Sequence, residues 1–129
     1  MRYLTVEEVV LIHERILDRP DRSPGVRHWH LLDSAVQRSQ ATFGGDDLYP
    51  DLFHKAAVLG QSLVLNHPFV DGNKRTAWEA MHTMVEENRY SLSAEADEIV
   101  SFVLQIERKD LDDEAIAAWL EGHAEALED

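Results

Sequence analysis

The segment from about Pro50 to Asn66 constrains the fold more than any other part of this chain. Leu52, Ala56, Leu59 and Leu63 fall on one helical face, and Phe53, Ala57, Gly60 and Val64 fall on the next. A surface helix carries one apolar stripe; an arc this wide requires a helix packed on several sides. Such a helix must be the centre of its domain, and the rest of the chain must wrap it. It ends before Pro68, because the residue preceding a proline is pushed out of the helical region.

The other segments read as the wrapping. Thr5-Val6-Glu7-Glu8 has the letters of a capping box, opening a helix to about Asp18 with Val6, Val9, Val10, Ile12 and Ile16 inward. Pro20 and Pro24-Gly25 stop it, leaving a loop over residues 19–30, where any short strand is expected. Leu31–Gln40 reads as a short helix, followed by a turn at Gly44-Gly45-Asp46-Asp47. A further helix starts at about Gly72 or Asn73 and runs to Asn88, with Ala77, Ala80, Met81, Met84 and Val85 inward. Ser93 is expected to cap a helix through about Glu107, with Ile99, Val103 and Ile106 inside. Asp110 or Asp112 is expected to cap the last, with Ile116, Trp119 and Leu120 inside. The expectation is one all-α domain over residues 1–129, with about six helices and sheet content close to nil.

Composition narrows the function. A formal net charge of −13 leaves no basic stripe for nucleic acid and disfavours anionic membranes. No apolar run is long enough to span a bilayer, and the N-terminus turns acidic without a secretory core. The absence of cysteine excludes disulfides and thiolate zinc sites and fits a reducing cytoplasm, the expected location. Three lysines stand against nine arginines and 25 acids. That balance suits a high-salt cytoplasm, and equally an ordinary acidic protein.

The chemistry concentrates in His67-Pro68-Phe69-Val70-Asp71-Gly72-Asn73-Lys74-Arg75-Thr76. Phe69 reads as the anchor that buries and fixes the loop. Gly72 lets backbone amides approach a ligand, and the helix starting there offers unpaired N–H groups and a partial positive charge. That end is a natural anion seat. Lys74 and Arg75 add two cations beside it, and Arg75 can fork onto phosphate oxygens. Asp71 is the candidate Mg²⁺ ligand, with helix capping as its structural alternative. Asn73 has two readings, a phosphate contact or a brace for the loop. Free imidazole titrates at about pH 6.5, so a neutral His67 can take a proton from an incoming hydroxyl. A P-loop is excluded by glycine spacing, and His28-Trp29-His30 lacks partner ligands for a metal site. His13, His54, His82 and His123 carry no pattern of their own.

These residues resemble the Fic/Doc family, and within it the Doc (death-on-curing) toxin branch. The wider Fic pattern, His-x-Phe-x-Asp/Glu-Gly-Asn-Gly-Arg-x-x-Arg, is met at His67, Phe69, Asp71, Gly72, Asn73 and Arg75. It is broken at Lys74, where the second glycine stands, and at Trp78, where the second arginine stands. The Doc pattern, His-x-Phe-x-Asp-Ala/Gly-Asn-Lys-Arg-Thr-Ala, is met throughout to Ala77. Gly25-Val26-Arg27, Leu31-Leu32-Asp33-Ser34-Ala35, Ala56-Ala57, Leu111-Asp112-x-Glu114 and Trp119-Leu120 are similar to the Doc layout, with His28 where an acid is usual.

The resemblance implies a Fic/Doc-type helical domain with its active loop before a helix N-terminus. It implies ATP as substrate with Mg²⁺, His67 as base and Asp71 as metal ligand. Gly72, Asn73, Lys74 and Arg75 become the phosphate contacts. Most Fic proteins move AMP to a hydroxyl, whereas the Doc branch moves the γ-phosphate to a threonine of elongation factor Tu and stops translation. A lysine for glycine at Lys74 and the arginine lost at Trp78 favour a reversed nucleotide and so phosphate transfer. The implied partners are a translation-factor substrate and an antitoxin, typically a peptide that folds as a helix into an apolar groove. Thr83-x-x-x-Glu87-Asn88 has the letters of a Fic inhibitory motif but lies inside the helix after the loop, and is read as chance. A decayed site on a helical binding module is the reading of a different class.

Overall fold

The computed structural model describes residues 1–17 and 25–128. These residues form six helices: α1 (Val6–Leu17), α2 (Trp29–Arg38), α3 (Leu52–Asn66), α4 (Asn73–Glu87), α5 (Ala96–Glu107) and α6 (Asp113–Gly122). α3 is the centre, as its apolar arc requires. Leu52, Phe53, Ala56, Ala57, Val58, Leu59, Gly60, Leu63 and Val64 are all buried, and α3 packs against α2, α4, α5 and α6. No helix among the described residues is long and apolar enough to cross a membrane.

The closest packing is between α3 and α4, and Gly60 permits it. A Cβ built at Gly60 would overlap the side chain of Met81, which is itself fully buried. The inward face expected of α4 is confirmed at Ala77, Ala80, Met81, Met84 and Val85, with Thr76 and Trp78 added. In α1, Val9 is buried and Val6, Val10 and Ile12 pack against the core, whereas Ile16 stays partly exposed. The capping box at Thr5 is made in both directions: the Glu8 N–H donates to Thr5 Oγ1 at 3.2 Å and the Thr5 N–H to Glu8 Oε1 at 3.0 Å.

Two boundaries differ from expectation, and an open choice at a third is decided. α2 begins at Trp29, two residues early, and no side chain of its N-cap residue His28 caps it. Ser93 does not cap α5: its N–H donates to the His123 carbonyl at 3.2 Å, so the chain is still paired there, and Glu95 is the N-cap. Asp112, rather than Asp110, caps α6 by accepting from the Ala115 N–H at 2.8 Å. The stops expected at Pro20 and Pro24 lie outside the described residues.

Among the described residues sheet is confined to two small ribbons, and neither lies where a strand was expected. β1 (Thr42–Phe43) and β2 (Asp46–Asp47) form a hairpin around Gly44-Gly45, whose φ of 61° and 89° supply the two left-handed residues of such a turn. β3 (Tyr90–Leu92) pairs with β4 (Ala124–Ala126), tying the end of α4 to the C-terminus. Within residues 25–30 there is only a single bridge, Val26 to Phe69. Lys55, a buried lysine, holds the hairpin to α3: its Nζ donates to the Ser39 carbonyl at 3.1 Å and to Asp47 Oδ2 at 3.2 Å.

α3 is joined to the N-terminus of α6 by His54 Nε2 and Asp113 Oδ2, 2.6 Å apart. The hydrogen bond from His54 holds the Asp113 carboxyl below its ordinary 3.8. A depressed folded pKa contributes stability that is present above 3.8 and lost as pH falls through the folded value. The Tm of wild type should therefore exceed that of Asp113→Asn at neutral pH, and thermal scans should show the gap closing below about pH 4. Gly60→Ala gives a second check. On an open helix it would stabilise by about 1 kcal/mol. Here overlap with Met81 should win, lowering stability by about 1–3 kcal/mol in denaturant titrations.

Candidate active site

The ten-residue motif is the whole connection between α3 and α4 and the first turn of α4. His67 is the C-cap of α3, exposed and left-handed at φ 48°, ψ 58°. Pro68 makes continuing the helix impossible, so the chain turns at His67 and presents its imidazole at the surface. Gly72 is the N-cap of α4 with φ 77°, a conformation that favours glycine, and a Cβ there would sit 3.1 Å from Leu17. Between these two left-handed residues the loop dives inward, and Phe69 is fully buried.

Buried backbone needs partners, and the loop has them from three directions. The Pro68 carbonyl accepts from the Arg27 and His28 N–H groups at 2.8 and 3.0 Å, and the Val70 N–H donates to the Gly25 carbonyl at 2.8 Å. The Asn73 side chain takes the Phe69 N–H on Oδ1 and gives Nδ2–H to the Phe69 carbonyl, both at 3.0 Å. From α1, His13 Nε2 lies 2.8 Å from the Asp71 carbonyl, and its ring stacks on Phe69 with centroids 3.9 Å apart.

The geometry sharpens the residue readings. Asn73 braces the loop with its side chain, leaving its backbone N–H for a ligand. Asp71 does not cap α4: its exposed carboxylate accepts one hydrogen bond, from the adjacent Gly72 N–H at 2.8 Å. Lys74 and Arg75 are exposed in the first turn, and Lys74 Nζ pairs with Glu107 Oε2 of α5 at 3.0 Å. Both cations stand at the mouth of an apolar groove of about 400 Å³ between α4 and α5, lined also by Trp78, Ile99, Val100 and Val103.

The electrostatics of α4 run opposite to those of α1, α5 and α6. α1, α5 and α6 each carry two acids in the first turn, the sign that the positive helix end favours. α4 carries none, has no side-chain cap, and places Lys74 and Arg75 there instead. In a chain of net charge −13, this end concentrates positive charge, which Glu107 offsets at Lys74 and a bound anion would offset further. Among the described residues no group of three or more His, Asp or Glu could hold a metal ion by itself. One exposed carboxylate beside an anion seat instead fits Mg²⁺, which takes one or two carboxylates and shares its remaining positions with phosphate and water.

Trp78 has an evident structural occupation. It meets Phe102 and Trp119 edge-on, at 6.3 and 5.9 Å, while Phe102 and Trp119 stack at 3.8 Å. It belongs to the seam joining α4, α5 and α6.

The contributions of His13 and of the Gly25–His28 backbone were not read from the sequence. For His13 a signal exists: Val6, Val9, Val10 and His13 share one helical stripe, so the register alone places it inward. The Gly25–His28 pairing has no local signature.

The arrangement is a helical domain that feeds a braced, histidine-led loop into a cationic helix end with no side-chain cap. Residues 3–85 match the Fic/DOC family, and the chain belongs to that family. It is 47% identical over 105 residues to the protein named Toxin Doc of Mycolicibacterium smegmatis, covering 80% of this chain and 81% of that one. It is 30% identical over 77 residues to the protein named Protein kinase doc of Escherichia phage P1, covering 60% of each.

Replacing Trp78 with the arginine of the wider Fic pattern should not restore a phosphate clamp. Trp78→Arg puts a charge into an aromatic seam and removes its packing, so stability should fall by about 3 kcal/mol or more. Chemical denaturation checks this directly.

Proposed function

We propose that this protein is a Doc-like toxin that transfers the γ-phosphate of ATP to a hydroxyl of a target protein, a threonine of elongation factor Tu, and so halts translation. The observation that carries the reading is the first turn of α4, where Lys74 and Arg75 replace the acids that begin α1, α5 and α6. The relative named as a protein kinase supports the reaction type, and the relative named as a toxin supports the role.

In this reading the N–H groups of Asn73, Lys74 and Arg75 receive phosphate oxygens, and the two side chains neutralise them. Mg²⁺, held by the Asp71 carboxylate, would supply further charge neutralisation on the phosphates. The target hydroxyl oxygen attacks the γ-phosphorus and the bond to the β,γ-bridging oxygen breaks. ADP leaves, and the hydroxyl proton passes to His67. Base catalysis of this kind contributes about 10²–10⁴-fold, the remainder coming from positioning and charge.

AMP transfer, the wider Fic reaction, is the second reading. Trp78 weighs against it, since the position of the second arginine is spent on the seam with Phe102 and Trp119. A second partner follows from the toxin role: an antitoxin whose amphipathic helix fills the α4–α5 groove and covers Lys74 and Arg75. Val100, more than half exposed on that groove, is the natural first contact.

Purified protein incubated with ATP, Mg²⁺ and elongation factor Tu should leave a phosphate on a threonine, read by peptide mass spectrometry, and His67→Ala should lower the yield at least about 100-fold. An AMP adduct would instead establish the second reading. No adduct from an extract, with antitoxin binding intact, would make the protein a binding module. Expression should arrest growth, and a fully toxic His67→Ala protein would contradict the catalytic account.

A further inference from the structure

We infer that His13, outside the motif, is a positioning residue that sets the direction of the Asp71 carboxylate. The inference rests on the reading of Asp71 as the Mg²⁺ ligand.

His13 is almost completely buried on the inner side of α1. Its ring lies nearly parallel to Phe69, at 8° and 3.9 Å between centroids. Its Nε2 is 2.8 Å from the Asp71 carbonyl oxygen. A carbonyl only accepts, so Nε2 carries the hydrogen and the tautomer is settled by this contact. Nδ1 is buried and has no hydrogen-bond partner among the described residues. A phenylalanine would fill the same space without leaving that nitrogen unpaired, so packing alone does not account for an imidazole here. What histidine adds is the single N–H.

That N–H acts where no other described side chain does. Asn73 holds both backbone groups of Phe69, and the Gly25–His28 segment holds Pro68 and Val70. His13 supplies the hydrogen bond to the Asp71 carbonyl, which belongs to the peptide unit leading into Gly72. Fixing that unit fixes the Gly72 N–H, which in turn holds Asp71 Oδ1 at 2.8 Å. A chain of two hydrogen bonds thus runs from α1 to the carboxylate. Two glycines, Gly25 and Gly72, flank the imidazole. A Cβ at Gly25 would be 3.5 Å from His13 Cε1, and one at Gly72 would be 3.7 Å from its Cδ2.

Two variants separate the donor from the ring. His13→Phe keeps the stack and removes the N–H; His13→Gln keeps a donor and gives up the stack. Amide hydrogen exchange over residues 69–73 reads the loop without chemistry, and the Mg²⁺ concentration for half-maximal phosphate transfer reads the carboxylate. In His13→Phe we expect exchange of that loop to quicken about tenfold and half-saturating Mg²⁺ to rise about tenfold, with KM for the target protein within about twofold. His13→Gln should return the Mg²⁺ requirement to within about threefold of wild type. Wild-type exchange and Mg²⁺ dependence in His13→Phe would overturn the inference, as would a glutamine no better than phenylalanine. Should His13→Phe not fold, His13→Gln decides: about threefold upholds the role of the donor and about tenfold overturns it. If the wild-type protein transfers no phosphate, the proposed reaction falls, and the exchange measurement alone decides whether His13 orders the loop.

Discussion

Phe69 is a large aromatic ring buried in a connection between two helices, and burying a connection creates a debt of unpaired backbone groups that a surface loop never incurs. Fully burying such a ring contributes about 1.5–3 kcal/mol, while each orphaned buried N–H or C=O costs about 1–3 kcal/mol. The loop therefore enters the core only if its polar groups find partners there. Asn73, His13 and the backbone of Gly25–His28 are those partners. The packing that makes the loop stable also makes it rigid, and rigidity is what a site working by positioning needs. His67 and Asp71, both exposed, owe their placement to a neighbour that is not.

The second constraint is electrical. A protein of net charge −13 is a poor host for a polyphosphate unless charge is arranged locally. The arrangement sits at the first turn of α4, where two cations meet a helix end already positive. Lys74 is paired with Glu107 at the surface, and an exposed pair of this kind is worth at most about 1 kcal/mol. A phosphate with several negative oxygens competes with it readily. Trp78, meanwhile, serves the packing of α5 and α6, so one helix carries the candidate site at its start and the core from its second turn.

Much of this was written in local pattern. The wide apolar arc of α3 required a central helix, and the residues it named are buried. The anchor role of Phe69 and the helix start at Gly72–Asn73 followed from residue type and spacing. What escaped was set by partners distant in sequence. Ser93 has the chemistry of a cap, yet it is held by His123 thirty residues later, through pairing between strands of three residues. Lys55 looks like a surface lysine until Ser39 and Asp47 close over it. His13 was passed over because a search for apolar periodicity does not count histidine, although its register is that of Val6, Val9 and Val10.

The central claim is that the α4 end presents the γ-phosphate, not the α-phosphate, to the hydroxyl facing His67. Parallel incubations of the protein and elongation factor Tu with ATP labelled at the γ- or the α-phosphorus test it most directly. Label should appear in the target only from γ-labelled ATP, with ADP released in equal amount. Label transferred from α-labelled ATP, with pyrophosphate released, would contradict the account.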